Sequence, residues 1–245
     1  MNVLLICGGN YHDFAFARDE ILGLLNESEN LSVTVSEDYD VAAQLPDTDI
    51  LITYTCDLVP TEAQQHALSS WLADGKRWFA LHGTNSIIRW ISYKPLKIGT
   101  PDEAPEFMGM LGSQFEAHPP ICDFRVEVSA PEHPLVEGIE AFETNDELYM
   151  TRMIGEHTSL LHCHFSGSTP EFETTEWDGD VAQPVMYLHP YGEGQVLYLT
   201  LGHCRGHDDM KPLMDHYPVV ERCSWELPTY YELLRRGIKW STNLI

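Results

Sequence analysis

Positive charge is scarce in this chain. Its 245 residues carry 14 Lys and Arg against 38 Asp and Glu, a formal net charge of −24. A surface of that sign repels phosphate backbones and anionic bilayers, so neither nucleic acid nor a membrane surface is expected as a partner. Long hydrophobic runs are missing too: none reaches the ~18 residues that a membrane span requires. The six cysteines form no C-x-x-C pair, and several lie in apolar runs where a reduced thiol packs as a small hydrophobe. That usage predicts a reducing compartment. The chain enters a strand at Asn2 without the basic leader of a signal peptide. These absences together predict a soluble, cytoplasmic protein.

What is there is an alternation of short apolar runs with helical spacing. Val3 to Cys7 is a buried strand ending in the glycine loop Gly8-Gly9-Asn10, and Phe14 to Leu25 has apolar residues at helical intervals. Ser32 to Ser36 alternates Val with Ser and Thr, as a second strand would, and Asp49 to Tyr54 is a third. Thr61 to Gln64 fits a capping box that opens a helix running to Asp74 and stopping at Gly75. Arg77 to Leu81 is a fourth strand. The rhythm predicts an α/β fold, one domain over residues 1–245, with a mostly parallel sheet and helices on both faces. Pro95, Gly99, Pro101 and Pro105 break the rhythm, so Tyr93 to Glu106 reads as an ordered loop or lid over the sheet edge. Further strands are expected at Phe124 to Val128 and Ser159 to Phe165. Pro184 to His189 and Gln195 to Leu201 form a hairpin that adds antiparallel edge strands, and Tyr230 to Trp240 is a terminal amphipathic helix.

The chemistry points to strand ends. Apolar residues run to Leu81 and then meet His82-Gly83-Thr84-Asn85, a sharp turn into a helix at the carboxyl edge where open α/β sheets bind ligands. Many hydrolases place a nucleophile at such an elbow; this chain places His82 there. His12 follows the first strand and its glycine loop, and His203 follows the late strand in Leu201-Gly202-His203. Parallel strands bring their carboxyl ends together, so these three imidazoles could converge, with Glu147 adding a carboxylate. Such a set suits a divalent metal such as zinc or manganese, acting as a Lewis acid on a sugar oxygen or activating a water. Without a metal the same groups could do acid–base work.

Asp13, Gly83, Thr84, Asn85, His118, Tyr149 and His207 are the candidate substrate-binding residues, with His118 reaching in from the lid. Tyr11, Phe16, Trp90, Tyr149 and Trp177 could form an aromatic platform for a sugar ring. Taken singly, a histidine at a strand end is more often a hydrogen-bonded structural residue, and a lone aromatic is more often core. His203 and His207 stand four apart, but Gly206 between them argues against a regular helix that would align them. No Ser or Cys stands out as a nucleophile, and Cys7, Cys56 and Cys204 read as buried packing. Gly8-Gly9-Asn10 is not G-x-G-x-x-G and no P-loop occurs, so no nucleotide is expected.

On these pieces the chain resembles the ThuA-like trehalose-utilisation family, which looks like a class I glutamine-amidotransferase fold without its catalytic cysteine. The resemblance rests on Gly9 to Phe14, Phe79 to Gly83, Glu132 to Ile139, Asp146-Glu147-Leu148-Tyr149, Pro184 to Tyr198 and Leu201-Gly202-His203. It implies a flavodoxin-like three-layer sandwich and a role in sugar metabolism, on a disaccharide or its keto derivative. It sets His82 where the amidotransferase cysteine would stand, His203 near the catalytic histidine, and supplies the main reason to include Glu147. Imidazole is not the thiolate that glutamine hydrolysis uses, which disfavours an amidotransferase subunit. The first expectation is an enzyme that hydrolyses, isomerises or epimerises a sugar or keto-sugar, with His12, His82, His203 and Glu147 as its catalytic groups. The second is a non-catalytic sugar-binding or scaffold protein, since a fold does not fix an activity. Self-association into a homo-oligomer stays open.

Overall fold

Four strands and two helices open the chain in alternation. They are Asn2–Gly9 (β1), Phe14–Leu25 (α1), Ser32–Ser36 (β2), Ile50–Cys56 (β3), Glu62–Ala73 (α2) and Arg77–Leu81 (β4). The computed structural model describes every residue except Asp180 and Pro212. β3 is buried at every position, as a parallel strand covered on both faces must be. Helix α1 starts where the Asp13 side chain accepts the Phe16 amide, and α2 starts at the expected capping box of Thr61 and Gln64.

Pro105–Leu111 (α3) follows, and then five more strands of the same sheet. These are Cys122–Val128 (β5), Phe142–Asp146 (β6), Thr158–Cys163 (β7), Gln183–Tyr191 (β8) and Gly194–Leu199 (β9). Pro228–Ser241 (α4) closes the fold. The nine-stranded sheet has the order β2-β1-β3-β4-β9-β8-β7-β5-β6. The run from β2 to β9 is parallel, and the strands beyond it are antiparallel. The β8–β9 hairpin is therefore central, with β9 parallel to β4, and not the edge the sequence suggested.

Successive side chains of a strand face opposite sides, and β1 divides its residues accordingly. Val3 and Leu5 pack with Ala17 and Ile21 of α1 and Leu233 of α4; Leu4 and Ile6 pack with Leu68 and Trp71 of α2 and Phe107 of α3. This is the flavodoxin-like three-layer sandwich. No helix among the described residues is long and apolar enough to cross a membrane.

Two connections differ from expectation. β4 turns into a single 3₁₀ turn, His82–Asn85, instead of a longer helix. The segment read as a loop or lid, Tyr93 to Glu106, contains the turn and second strand of the hairpin Arg89–Tyr93 with Leu96–Gly99, and the start of α3. Its proline lies in the turn between the two strands, which is why the composition reads as loop. The Ile98 amide donates to the Glu171 carbonyl at 2.7 Å, pinning the hairpin to the 171–172 segment.

Candidate metal centre

Three strand ends deliver three imidazoles. After β1, Gly9 and Tyr11 both take positive φ, 124° and 72°, and turn the chain so that His12 faces inward. At the end of β4, His82 itself has φ 45°, a costly conformation for a residue with a Cβ. The Tyr198 hydroxyl donates to the His82 carbonyl (2.7 Å) and accepts the Asn85 amide (2.8 Å), which holds that turn. Beyond β9, the Gly202 and His203 amides donate to Asp146 at 2.8 and 3.1 Å. The same fully buried carboxylate takes the amides of Glu147 (2.8 Å) and Ser224 (3.3 Å). Asp146 thus ties the segment bearing His203 to the one bearing Glu147.

The outer ring nitrogens decide what the inner ones are. His12 Nδ1 donates to the Asn10 carbonyl (3.2 Å) and His82 Nδ1 to the Thr200 carbonyl (2.8 Å). His203 Nε2 donates to Glu221 Oε2 (2.9 Å). Those partners can only accept, so the neutral rings keep bare lone pairs on His12 Nε2, His82 Nε2 and His203 Nδ1. These atoms face one another, 2.9 Å apart for His12 and His82 and 3.2 Å for His12 and His203. Glu147 Oε1 lies 3.1 Å from His203 Nδ1, and its Oε2 lies 3.6 Å from His82 Nε2. All four ligand atoms fall within 4.8 Å of one another, and all four residues are buried. Bare lone pairs at these distances repel unless a proton or a metal cation sits among them.

Electrostatics agree that positive charge belongs here. Burial and the neighbouring His82 and His203 push His12 well below its ordinary value, toward the neutral ring. Burial would raise Glu147, but His118 and His203 hold it well below the usual carboxylate range. Burial opposes a charge on His203, yet Glu147 and Glu221 raise it to about 9. Without a metal, that shift favours a proton on His203 Nδ1 beside Glu147 Oε1, which a bound metal would displace.

His82 and His203 are fully buried, while His12 and Glu147 line a cavity of about 440 Å³, within the usual range of about 300–1,000 Å³ for small-molecule sites. His118 and Tyr149 line it as expected. His118 Nδ1 donates to the Pro119 carbonyl (2.7 Å), leaving Nε2 3.8 Å from Glu147; the Tyr149 hydroxyl lies 3.3 Å from His82 Nε2. The other proposed substrate contacts lie elsewhere. Asp13 caps α1 and pairs with Arg222 at 2.9 Å. Gly83, Thr84 and Asn85 are buried beneath the turn: a Cβ on Gly83 would meet Cys56 Cβ at 2.8 Å, Thr84 Oγ1 donates to the Leu81 carbonyl, and Asn85 Nδ2 donates to Ser113. His207 is exposed and stacks on His216. Of the aromatic platform, Tyr11, Trp90 and Tyr149 line the cavity, whereas Phe16 packs against Trp225 and the Trp177 indole donates to Thr169.

Three cavity residues of the polar network around His203 escaped the sequence reading. Arg205 lies two residues past His203, and its Nη1 reaches Glu221 at 3.0 Å. Glu221 also accepts the Tyr217 hydroxyl at 2.9 Å. An antiparallel bridge between Arg205 and Glu221 brings the two segments together, and no local spacing announces it. Residues 202–206 do spell G-x-C-x-G, the letters of a nucleophile elbow. Cys204 is nonetheless buried, contacts the Tyr54 hydroxyl and the Asp13 carbonyl, and has its thiol pushed up to about 12 by burial, so it is a packing residue.

Residues 2–217 match the ThuA family, described as trehalose utilisation. The chain belongs to the ThuA family. Solved ThuA-like proteins share the fold. One from Parabacteroides merdae has a TM-score of 0.69 at 15% identity, covering 98% of this chain and 89% of that one. Another from Bacteroides uniformis has a TM-score of 0.66 at 17% identity, covering 98% and 91%. A cold-adapted β-galactosidase from Rahnella sp. R3 has a TM-score of 0.55 at 11% identity, covering all of this chain and 31% of that one. No curated protein matches the sequence. Membership of the ThuA family gives the chain a carbohydrate-related role.

Proposed function

We propose that this ThuA-family protein is an enzyme of carbohydrate metabolism. It acts on a sugar or keto-sugar, with a divalent cation of the zinc or manganese type held by His12, His82, His203 and Glu147. The supporting observation is the convergence of three imidazole nitrogens and a carboxylate in one buried cluster, with His12 and Glu147 facing a cavity. Borderline cations prefer that donor set. The nitrogen separations of 2.9 and 3.2 Å compare with ~3.3 Å between ligands of a tetrahedral zinc site whose bonds are ~2.0–2.1 Å. Bound there, a cation would polarise a carbonyl or hydroxyl oxygen as a Lewis acid.

The chain's own groups supply the rest. Asn10, Thr200 and Glu221 fix which ring nitrogens carry protons. The Arg205 guanidinium, held by Glu221 and the Tyr11 carbonyl, gives the cavity a fixed positive charge for an oxygen that gains negative charge. His118 and Tyr149 place proton carriers beside Glu147 and His82. Hydrolysis, isomerisation or epimerisation next to a carbonyl is the reaction class that fits these groups.

Elemental analysis of the full chain, followed by zinc and manganese titration and assay on keto-disaccharides, tests the reading. The expected result is one metal per chain, affinity at least about tenfold weaker in His82→Ala, and turnover lost with the metal. A wild-type chain that neither carries nor takes up a metal overturns the metal centre. Turnover undiminished in His82→Ala removes His82 from the chemistry. Tight sugar binding without turnover or metal moves the protein to the non-catalytic class.

A further inference from the structure

The cavity has two chemical halves. Ionic and acid–base side chains gather at one end: His12, Glu147, Arg205 and Glu221, with His118 at the join, its ring 5.1 Å from Phe172 and 5.8 Å from Phe115. Ring contacts then lead away from that end, His82 to Tyr149 at 4.8 Å, Tyr149 to Phe115 at 4.6 Å and Phe115 to Phe172 at 5.6 Å. Phe172 bridges by its backbone to Ile98 of the hairpin, and Leu96 and Trp90 of the same hairpin complete the wall. Glu171 is the one carboxylate among these outer residues, and it is exposed to solvent at the edge of the wall.

That division bears on what the second half of the substrate can be. A second sugar ring would press its hydroxyls against Leu96, Ile98, Phe115 and Phe172, which offer no hydrogen bonds. Each hydroxyl buried without a partner loses its bond to water. An apolar group of similar size gains from the same wall in proportion to the area it buries. Trp90 adds a ring face, held in place by its indole donating to the Tyr11 hydroxyl at 2.8 Å.

We infer that the outer half of the cavity is a subsite for an apolar aglycone, so that the substrate is a glycoside of an aromatic or alkyl alcohol, with its sugar at the His12–His82–His203–Glu147 end. This rests on the carbohydrate reading above and narrows it. The inference concerns the wall built by this chain's hairpin and 171–172 segment, independently of which reaction follows.

Binding to the zinc-supplemented full chain decides it. The probes are methyl, phenyl and hexyl glucopyranosides of each anomer, with trehalose as the two-sugar comparison, measured by calorimetry. Phenyl or hexyl glucoside should bind at least about tenfold tighter than the methyl glucoside of the same anomer, and tighter than trehalose. The arm with the larger gain tells an aryl from an alkyl preference. Leu96→Asn, at a half-buried hairpin position, should narrow the ratio to within about twofold, and Trp90→Ala should do the same, with circular dichroism confirming that each folds. Equal affinity for methyl and phenyl glucosides, or trehalose binding tightest, overturns the aglycone subsite while leaving the carbohydrate reading standing. A ratio untouched by both variants also overturns the assignment. If no glucoside and no trehalose binds, the carbohydrate reading itself falls and the subsite falls with it.

Discussion

At the scale of single residues, the histidines of the centre were legible and their supports were not. His12, His82 and His203 announce themselves because each follows an apolar strand and a glycine-marked turn. Glu221 has no such signal: it lies 18 positions beyond His203, and only the fold brings its carboxylate to His203 Nε2. Asp146 is similar, a buried anion whose role is to accept four backbone amides. Glu221 accepts from His203, Arg205 and Tyr217 at once. In Glu221→Gln one of those donors must meet an amide N–H instead of an oxygen. The expected outcome is a 10–100-fold weaker metal affinity, roughly the usual effect of losing a carboxylate behind a histidine ligand, with little change in the melting curve. Competition with a chelating dye measures it. An unchanged affinity would show that Glu221 does not orient His203 for a metal.

At the scale of elements, legibility followed periodicity. The capping box of α2, the first four strands and the terminal helix all carry patterns of 2 or 3.6 residues and formed close to where they were expected. The hairpin over the cavity did not, because prolines and glycine dominate its composition and its register depends on pairing with the 171–172 segment. α4 shows a further effect that pattern alone misses. Gly237 in its interior looks like a weak point, since Gly→Ala in a helix ordinarily gains about 1 kcal/mol. Here a Cβ would press into the ring of Phe79, which is 1% exposed in β4 beneath the helix. Overpacking a well-filled core costs about 1–3 kcal/mol, so the second effect should win. Gly237→Ala should lower the unfolding free energy in urea; a gain in stability would mean that α4 can lift from the sheet without cost.

At the scale of the whole molecule, topology assembles the centre. Residues 12 and 203 meet at 3.2 Å across 191 positions because β1, β4 and β9 are parallel members of one sheet. The same packing sets the behaviour of the thiols. All six are free, and Cys7, Cys163 and Cys204 are buried with their thiols pushed up from 9.0 to about 12, chiefly by burial. A folded value of about 12 leaves on the order of one part in 10⁴ as thiolate at pH 8, so alkylation of these three should require opening of the fold. The linkage has a definite sign. The unfolded chain loses these protons near pH 9 while the folded chain keeps them until about 12, so above pH 9 the folded state binds more protons and stability falls as pH rises. Below pH 9 the thiols add no slope. Each such group should lower the unfolding free energy by about 1.4 kcal/mol per pH unit between those limits. Urea titrations of the wild type at pH 8, 9 and 10, beside a Cys7→Ala chain, test this. The wild type should lose stability faster than the variant above pH 9, and parallel losses would mean that the Cys7 thiol ionises as freely in the fold as in the open chain.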